Sequence, residues 1–142
     1  MINTLEKVRE FAQAFTPNQC GFITYNSPTK QIVALRLQLL IEEVGELAHG
    51  LAKDDPMEIL DALSDIQYVL DGTYLALGLD RFKEAAFMEV HRSNMSKLGS
   101  DGKPIINGAG RVVKSENYRE PNLPKVVNDI LLNGLTGETI NG

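Results

Sequence analysis

The feature that most constrains this chain is a run of apolar and acidic residues from Leu39 to Asp65, which reads as two helices joined by a short turn. Side chains three or four residues apart share a helical face, so the acids of each helix fall on one side of it. Pairing across the turn sets Glu43 level with Asp65 and Glu46 level with Asp61. Six carboxylates are therefore expected to meet across an antiparallel helix pair: Glu42, Glu43, Glu46, Glu58, Asp61 and Asp65.

The two acidic patches interrupt apolar stripes. Leu35 and Leu39 precede the glutamates on the same face, and Val69 follows the second patch. An acidic stripe on a solvated helix face usually has polar neighbours. Carboxylates held together in a partly buried site raise one another's pKa unless a cation neutralises them. A cation site is therefore the favoured interpretation, and a solvated acidic face is the alternative.

Apolar periodicity and capping signals predict an all-α fold. The predicted elements are helices at 2–15, 28–52, 56–77, 80 to 96 or 97, and 126–132, with a loop at 16–27. A serine before Pro28 and the pair Asp55-Pro56 mark two helix starts. The long helices predict an antiparallel four-helix-bundle core over residues 1–98. Glycines and short apolar runs predict a small irregular or β-hairpin extension over 99–142, packing on the same domain or on a partner subunit.

Length, charge and cysteine content narrow the class of protein. A chain of 142 residues suits one domain with a real core, and its formal charge of −5 argues against a nucleic-acid polymer as partner. The single cysteine, Cys20, cannot form an internal disulfide. No signal-peptide pattern and no apolar run of membrane-spanning length is found, so a cytoplasmic protein that binds no membrane is expected.

The chemistry of the acids favours hard divalent cations. Oxygen ligands select Mg²⁺, with Mn²⁺ as a substitute, over zinc or copper. Two or more such ions can polarise a phosphoryl group and activate a water, so the acids suggest metal-dependent attack on a phosphate ester or anhydride. Glu42 or Glu43 could orient or deprotonate that water. Glu58 also fits a capping box begun by Asp55, a structural role compatible with metal binding.

Polar residues at the end of the fourth predicted helix supply groups for a phosphate-bearing substrate. Asn94 and Lys97 are three residues apart and could hold phosphate oxygens or sugar hydroxyls. Arg92 adds positive charge beside them, and Lys103 and Arg111 in the next segment could close over the substrate. Lys97 has a structural alternative, because a cation at a helix C-terminus is favourable by itself.

These residues carry a resemblance to a known group of enzymes. The carboxylate motif, Glu42-Glu43-x-x-Glu46 and then Glu58-x-x-Asp61, resembles the EExxE…ExxD signature of the all-α nucleoside triphosphate pyrophosphohydrolase superfamily. That superfamily includes MazG-like proteins, phosphoribosyl-ATP pyrophosphohydrolases and dimeric dUTPases. Segments 61–69 and 89–105 resemble one MazG-like branch with dUTP-cleaving members, and the likeness spans about 28–118.

The resemblance implies an activity, an assembly and a set of residue roles. The activity is hydrolysis of the α–β phosphoanhydride of a nucleoside triphosphate to a monophosphate and pyrophosphate, with dUTP the first expected substrate and dGTP or another purine triphosphate next. The assembly is a homodimer, or a homotetramer built as a dimer of dimers. The implied roles are metal ligands at Glu43, Glu46, Glu58 and Asp61, a further ligand or water-orienting group at Glu42, and substrate contacts at Asn94 and Lys97. By the apolar residues that follow it, Asp65 could instead fill the motif's last position, so Asp61 and Asp65 are both kept.

Two other function classes remain open from the sequence. A di-iron carboxylate bundle would use Glu46-x-x-His49, although no second Glu-x-x-His pair follows. A non-enzymatic helical domain could bind a basic partner through its acids. Base preference is not fixed either, since the residues that could contact a base are equally suited to a core: Gln13, Phe15, Phe22 and Tyr25.

Overall fold

The computed structural model describes residues 2–15 and 29–136 and shows an all-α chain. The helices are α1 (Thr4–Phe15), α2 (Lys30–Lys53), α3 (Pro56–Ala76), a 3₁₀ turn (Asp80–Phe82), α4 (Lys83–Met95) and α5 (Leu123–Thr136). The described residues form isolated β-bridges but no strand, which confirms the predicted fold class. None of their helices is long and apolar enough to cross a membrane.

The chain divides into two compact units, residues 1–81 and 82–142. The first contains α1, α2 and α3, and the second contains α4 and α5. The predicted four-helix core would require α4 to pack with the first three helices, and this detail stays a prediction. The predicted domain boundary after residue 98 also stays a prediction.

Capping residues explain where the two long helices begin. Thr29 is the N-cap of α2, and its hydroxyl accepts a hydrogen bond from the Ile32 N–H (3.3 Å). The start predicted at 27–28 and the loop at 16–27 lie outside the described residues. Asp55 caps α3 as predicted, because its Oδ1 accepts from Met57 N (3.0 Å) and Glu58 N (3.2 Å). Each cap satisfies N–H groups that have no partner within the helix.

Helices α2 and α3 form an antiparallel pair closed by a very short turn. Asp54 has a positive φ of 55°, and the Asp55 N–H donates to the Gly50 carbonyl (3.0 Å). At this end the backbones nearly touch, since a Cβ placed on Gly50 would lie 3.1 Å from the Ile59 nitrogen. At the other end the side chain of Arg36 crosses from α2 to α3. The line of contact between these two helices is called the seam below.

Helix α1 packs on α3 through aromatic and charged side chains. Phe11 meets the Tyr68 ring edge to face at 5.6 Å and stacks on Phe15 at 4.5 Å. Arg9 Nη2 donates to Asp80 Oδ2 (3.0 Å), which ties α1 to the 3₁₀ turn. Val8 is buried. The first helix is therefore fixed by one buried contact face, as its apolar spacing predicts.

Many large apolar side chains of α2 and α3 stay exposed in the single chain. Ile41 is 63% exposed and Met57 69%, and Val8 and Ala62 are the fully buried apolar residues described in the first unit. The apolar stripe beside the glutamates was expected to be buried, but it is only partly buried: Leu35 is 48% exposed. Leu39 on the same stripe is half-buried. One pair of helices offers too little surface to cover these side chains.

The second unit is held together by hydrogen bonds around α4. Glu89 accepts from the Arg92 guanidinium (2.7 and 2.8 Å) and from the Asn122 N–H (2.6 Å), which attaches the start of α5. Ser115 Oγ donates to the carbonyls of Ser96 (3.2 Å) and Leu98 (2.8 Å). Helix α5 extends beyond both ends of the segment expected at 126–132, and Asn122 Oδ1 accepts from the Lys125 N–H (3.0 Å) at its start.

The predicted hairpin in the C-terminal segment is reduced to a single bridge. Ile106 and Val112 pair in an antiparallel bridge, and the turn between them is closed by Gly110 N–H donating to the Asn107 carbonyl (2.9 Å). Gly110 has a φ of +74°, which favours glycine there. The turn chemistry was predicted correctly, but the pairing does not extend into strands.

Candidate active site

Glu43 stands among four other carboxylates of α2 and α3. Desolvation raises the pKa of Glu43 above its ordinary value, and the negative charges of Glu46, Asp65, Glu42 and Asp61 raise it further, in that order. Coulombic effects of this kind require short separations. The structure therefore brings together five of the six acids singled out in the sequence. They are called the acidic cluster below: Glu42, Glu43, Glu46, Asp61 and Asp65.

The acidic cluster is partly exposed to solvent, and no cation of the described residues is paired with it. Glu43 and Asp65 are half-buried, whereas the other three members are exposed. Among the described residues, none of the five forms an ion pair with a lysine or arginine. No three His, Cys, Asp or Glu side chains of residues 2–15 and 29–136 converge closely enough to hold one ion as they stand. The all-oxygen donor set is nevertheless the type that hard divalent cations prefer.

Glu58, the sixth acid, is engaged elsewhere. Its carboxylate contacts His49 Nδ1 and lies 3.7 Å from Lys53 Nζ at the turn end of the seam. It does not complete a capping box, because the Asp55 N–H donates to the Gly50 carbonyl instead. The capping alternative for Glu58 was therefore wrong, and its role as a metal ligand stays a prediction. His49 is exposed, as a surface residue would be.

The residues expected to contact substrate lie in the second unit, and the structure already gives several of them partners. Arg92 is bound by Glu89 and donates to the Glu120 carbonyl (3.2 Å). Lys97 Nζ donates to Asn94 Oδ1 (2.8 Å), so these two side chains hold each other. Lys103 is exposed. Their contact with a substrate bound at the acidic cluster stays a prediction.

The residues considered for base recognition are divided between described and undescribed parts of the chain. Phe15 is 71% exposed and stacks on Phe11, while Gln13 is exposed on the same helix. Phe22 and Tyr25 lie outside the described residues, as does Cys20. Because Phe15 is largely exposed, it is not a core residue of the described chain.

Arg36 is the residue of this region that sequence analysis missed. It precedes Glu43 by seven residues, so both lie on one face of α2. Its Nη2 donates to the Val69 carbonyl (2.6 Å) and its Nε to Thr73 Oγ1 (3.2 Å). Burial lowers the pKa of Arg36 below its ordinary value. A cation two helical turns before Glu43 on the same face was the available signal.

The fold and the acidic cluster define an all-α protein built on a carboxylate-rich antiparallel helix pair. The sequence matches the phosphoribosyl-ATP pyrophosphohydrolase family over residues 8–94, more than half of the chain and nearly all of α1 to α4. The chain therefore belongs to this family, which lies within the MazG-like pyrophosphohydrolase superfamily, as the motif suggested. Its members are hydrolases that act on nucleotides. This membership favours an enzyme over the di-iron and interaction-domain alternatives.

The chain is also similar to a curated viral protein. It is 46% identical over 93 residues to "Uncharacterized protein L479" of Acanthamoeba polyphaga mimivirus. The aligned part covers 63% of this chain and 34% of that protein, so the chain spans about a third of the length of the relative it matches. The name of the relative assigns no activity, and the likeness adds none.

Proposed function

We propose that this protein is a Mg²⁺-dependent nucleoside triphosphate pyrophosphohydrolase that cleaves the α–β phosphoanhydride to a monophosphate and pyrophosphate. The observation that carries the proposal is the acidic cluster, in which Glu43 is surrounded by like charges that no side chain of the described residues neutralises. Family membership supports the reaction type. Unneutralised charges of this kind are costly unless a ligand compensates them.

The residues that would hold divalent ions are Glu43, Glu46, Glu58, Asp61 and Asp65. Bound Mg²⁺, or Mn²⁺ as a substitute, would neutralise phosphate charge and lower the barrier to attack by water, with two or more ions per site. Asp61 and Asp65 are both close enough to Glu43 to raise its pKa, so both are compatible with the last position of the motif. Glu58 would have to exchange its contact with His49 for a metal.

Glu42 and Glu43 are proposed to position and deprotonate the attacking water. The negative neighbours that raise the pKa of Glu43 make its carboxylate a stronger proton acceptor than an ordinary glutamate. The water oxygen bonds to one phosphorus of the α–β bridge, its proton passes to the carboxylate, and the bridging oxygen leaves with the other phosphoryl group. One water is consumed for each monophosphate and pyrophosphate formed.

The remaining groups are proposed to bind the substrate. Asn94 and Lys97 would hold phosphate or sugar oxygens, with Arg92 and Lys103 adding positive charge. Arg92 supports this only if it releases part of its pairing with Glu89. dUTP is the first proposed substrate, with dGTP or another purine triphosphate next. A cytoplasmic location without a nucleic-acid or membrane partner remains part of the proposal.

A second copy of the chain is the proposed partner, in a homodimer or homotetramer. The exposed apolar side chains of α2 and α3 support this, since contiguous apolar surface of that extent usually marks an interface. They include Val33, Leu37, Ile41, Val44, Leu51, Met57, Leu60 and Leu63. Burial between copies would also lower the polarity around the neighbouring acidic cluster and strengthen its demand for cations.

The test is a panel of ribo- and deoxyribonucleoside triphosphates, with phosphoribosyl-ATP added, assayed with Mg²⁺, with Mn²⁺ and with chelator. We expect pyrophosphate and a monophosphate as products, lost with chelator. Glu46→Gln and Asp61→Asn are each expected to reduce kcat/KM by about a hundredfold or more while helix content is kept. Glu10→Gln, an exposed acid of α1 paired with Lys7, is the matched control and should retain activity.

Two outcomes would contradict the proposal. One is the absence of pyrophosphate release from every compound in the panel with either metal. The other is a diphosphate as the nucleotide product, which would place cleavage at the β–γ bond. Measurement of both products by chromatography separates these cases from simple loss of activity.

A further inference from the structure

Arg36 is a half-buried cation held only by neutral groups. Its two hydrogen-bond partners among the described residues are the Val69 carbonyl (2.6 Å) and Thr73 Oγ1 (3.2 Å), and the Thr73 hydroxyl itself donates to the Val69 carbonyl (2.8 Å). No carboxylate of the described residues forms an ion pair with Arg36. A partly desolvated guanidinium is normally paired with an anion or has its donors fully used by acceptors. Its Nη1 has donors left for one.

Gly72 provides the place in which this guanidinium lies. A Cβ at position 72 would be 2.6 Å from Arg36 Nη2 and 3.3 Å from Nη1. Glycine inside a helix costs roughly 1 kcal/mol relative to alanine, so its presence in α3 needs a reason. The absence of a side chain at Gly72 lets Arg36 rest flat against the helix.

Arg36 and the acidic cluster lie along the same seam. Two helical turns, about 10 Å, separate Arg36 from Glu43 on α2. In the opposite direction the seam is closed, because Gly50 lies against the backbone of Ile59. A ligand that is bound at the acidic cluster and follows the seam therefore runs toward Arg36, whose side chain lies between the two helices.

We propose that Arg36 is a specificity-determining residue that donates hydrogen bonds to acceptor atoms on the edge of the substrate's base. This inference rests on the proposed function. With the phosphates at the acidic cluster, the sugar places the base farther along the seam, at the level of Arg36. The assignment to the base follows from this spacing, since the cluster itself accounts for the phosphates.

The chemistry of arginine then selects a class of base. A guanidinium has donors and no acceptor, so it pairs with carbonyl and ring-nitrogen acceptors. Guanine, uracil, thymine and cytosine carry a carbonyl oxygen. Adenine carries none, and its amino donor stands beside the ring acceptors N1 and N7, where it would face the guanidinium. The protein is therefore expected to prefer oxo-bases over adenine.

The alternative is a purely structural role, in which Arg36 ties α2 to α3 and contacts no substrate. Both roles predict loss of activity when Arg36 is changed. Only recognition of the base predicts a change in the ratio of kcat/KM between an oxo-base and adenine. If Arg36 has only a structural role, its replacement should leave this ratio of kcat/KM values unchanged.

The experiment measures kcat/KM for dUTP, dGTP, dCTP and dATP in the full chain with Mg²⁺. We expect the wild type to disfavour dATP by at least about tenfold relative to its best substrate, and Arg36→Gln to reduce this ratio by about ten- to hundredfold. Arg36→Lys should keep part of it, because the charge remains but the planar fork is lost. Gly72→Ala retains the arginine but displaces its guanidinium, and should lower the ratio in the same direction.

Arg9→Gln is the matched control, since Arg9 is a partly exposed arginine that ties α1 to Asp80 in the same unit. Its ratio should equal that of the wild type. A ratio unchanged in Arg36→Gln, with all rates falling together, would overturn the inference, and so would dATP as the best wild-type substrate. If Arg36→Gln loses its helix content, the Lys and Gly72→Ala variants decide by the same ratio. Turnover of no nucleotide at all would instead overturn the proposed function on which the inference rests.

Discussion

Two glutamates of this protein sit in opposite electrostatic surroundings. Glu89 in the second unit accepts hydrogen bonds from Arg92 and from the Asn122 N–H, which lower its pKa to about 2. Glu43 in the seam is partly desolvated and lies near other carboxylates, and both effects raise its pKa. The side chains are identical, and their neighbours decide which protonation state is favoured.

The difference matches the structural role of Glu89 and the functional role proposed for Glu43. Glu89 is fully paired, and its bonds join α4 to the residues before α5. The acidic cluster leaves like charges unneutralised, which lowers stability and requires a ligand that brings positive charge. A folded chain keeps such an arrangement when binding requires it, and avoids it when packing alone is at stake.

The comparison would be sharpened most by adding metal. Mg²⁺ should raise the melting temperature of the wild type, by the equivalent of about 2–3 kcal/mol when its concentration is 100 times Kd. Glu43→Gln should be more stable than the wild type in chelator, because one repelling charge is gone, and should gain less from Mg²⁺. Thermal unfolding followed by circular dichroism, with and without Mg²⁺, checks both. Equal gains in the two proteins would contradict the account of the acidic cluster.

The raised pKa of Glu43 also predicts how the stability of the metal-free protein changes with pH. Folded Glu43 retains its proton at higher pH than the unfolded chain does, so stability should fall as pH rises from the ordinary carboxyl value through the raised one. Added Mg²⁺ should remove this fall. Denaturant unfolding in chelator at several pH values measures the free energy of unfolding. A free energy that stays constant or increases with pH over this interval would contradict the raised pKa of Glu43.

The close approach at the turn end of the seam gives a smaller effect. Gly50→Ala places a methyl group 3.1 Å from the Ile59 nitrogen, and we expect a cost of about 1–3 kcal/mol against a gain in helix propensity of up to ~1 kcal/mol. Gly45→Ala is the control on the same helix, since nothing lies within 4 Å of its Cβ. Chemical denaturation of both should show a less stable Gly50→Ala and a slightly stabilised Gly45→Ala. The reverse order would show that the helices do not touch at Gly50.

The smallest effect is expected at Glu89. Because its pKa is lowered to about 2, its contribution to stability is complete above the ordinary carboxyl value and is lost as pH falls toward 2. Glu89→Gln should speed hydrogen exchange at the Asn122 amide, with little change in overall stability, since the network is near the surface. Mass-spectrometric exchange of the peptide containing Asn122 measures this. Unchanged exchange would mean that the bond from the Asn122 N–H to Glu89 does not protect this amide.

The sequence predicted most of the helices because their signals are local. The Asp55-Pro56 start and the apolar spacing of α1 were confirmed, since caps and periodicity act within one turn of chain. Helix α5 was predicted too short at both ends. Its start has a local cap at Asn122 that was not used, and a bond from the Asn122 N–H to Glu89, 33 positions earlier, which no local pattern reveals. The hairpin at Asn107 was over-predicted, because a favourable turn does not supply strand pairing.

The candidate site shows the same division. Motif spacing was enough to select the family and five acids that the fold brings together. The engagement of Glu58 with His49, and the placement of Arg36 against Gly72, depend on residues of the facing helix. Neither could be derived from periodicity within one helix.

The amino-acid sequence by itself determined the helices, the face on which the acids lie and the family of the chain. Those properties follow from residue types at short, fixed spacings along one helix. Only the tertiary structure decided which carboxylates raise the pKa of Glu43. It also decided that Glu58 contacts His49 and that Arg36 lies along the same seam. Electrostatic and contact energies depend on distances between separate helices, and those distances exist only after packing has set the register.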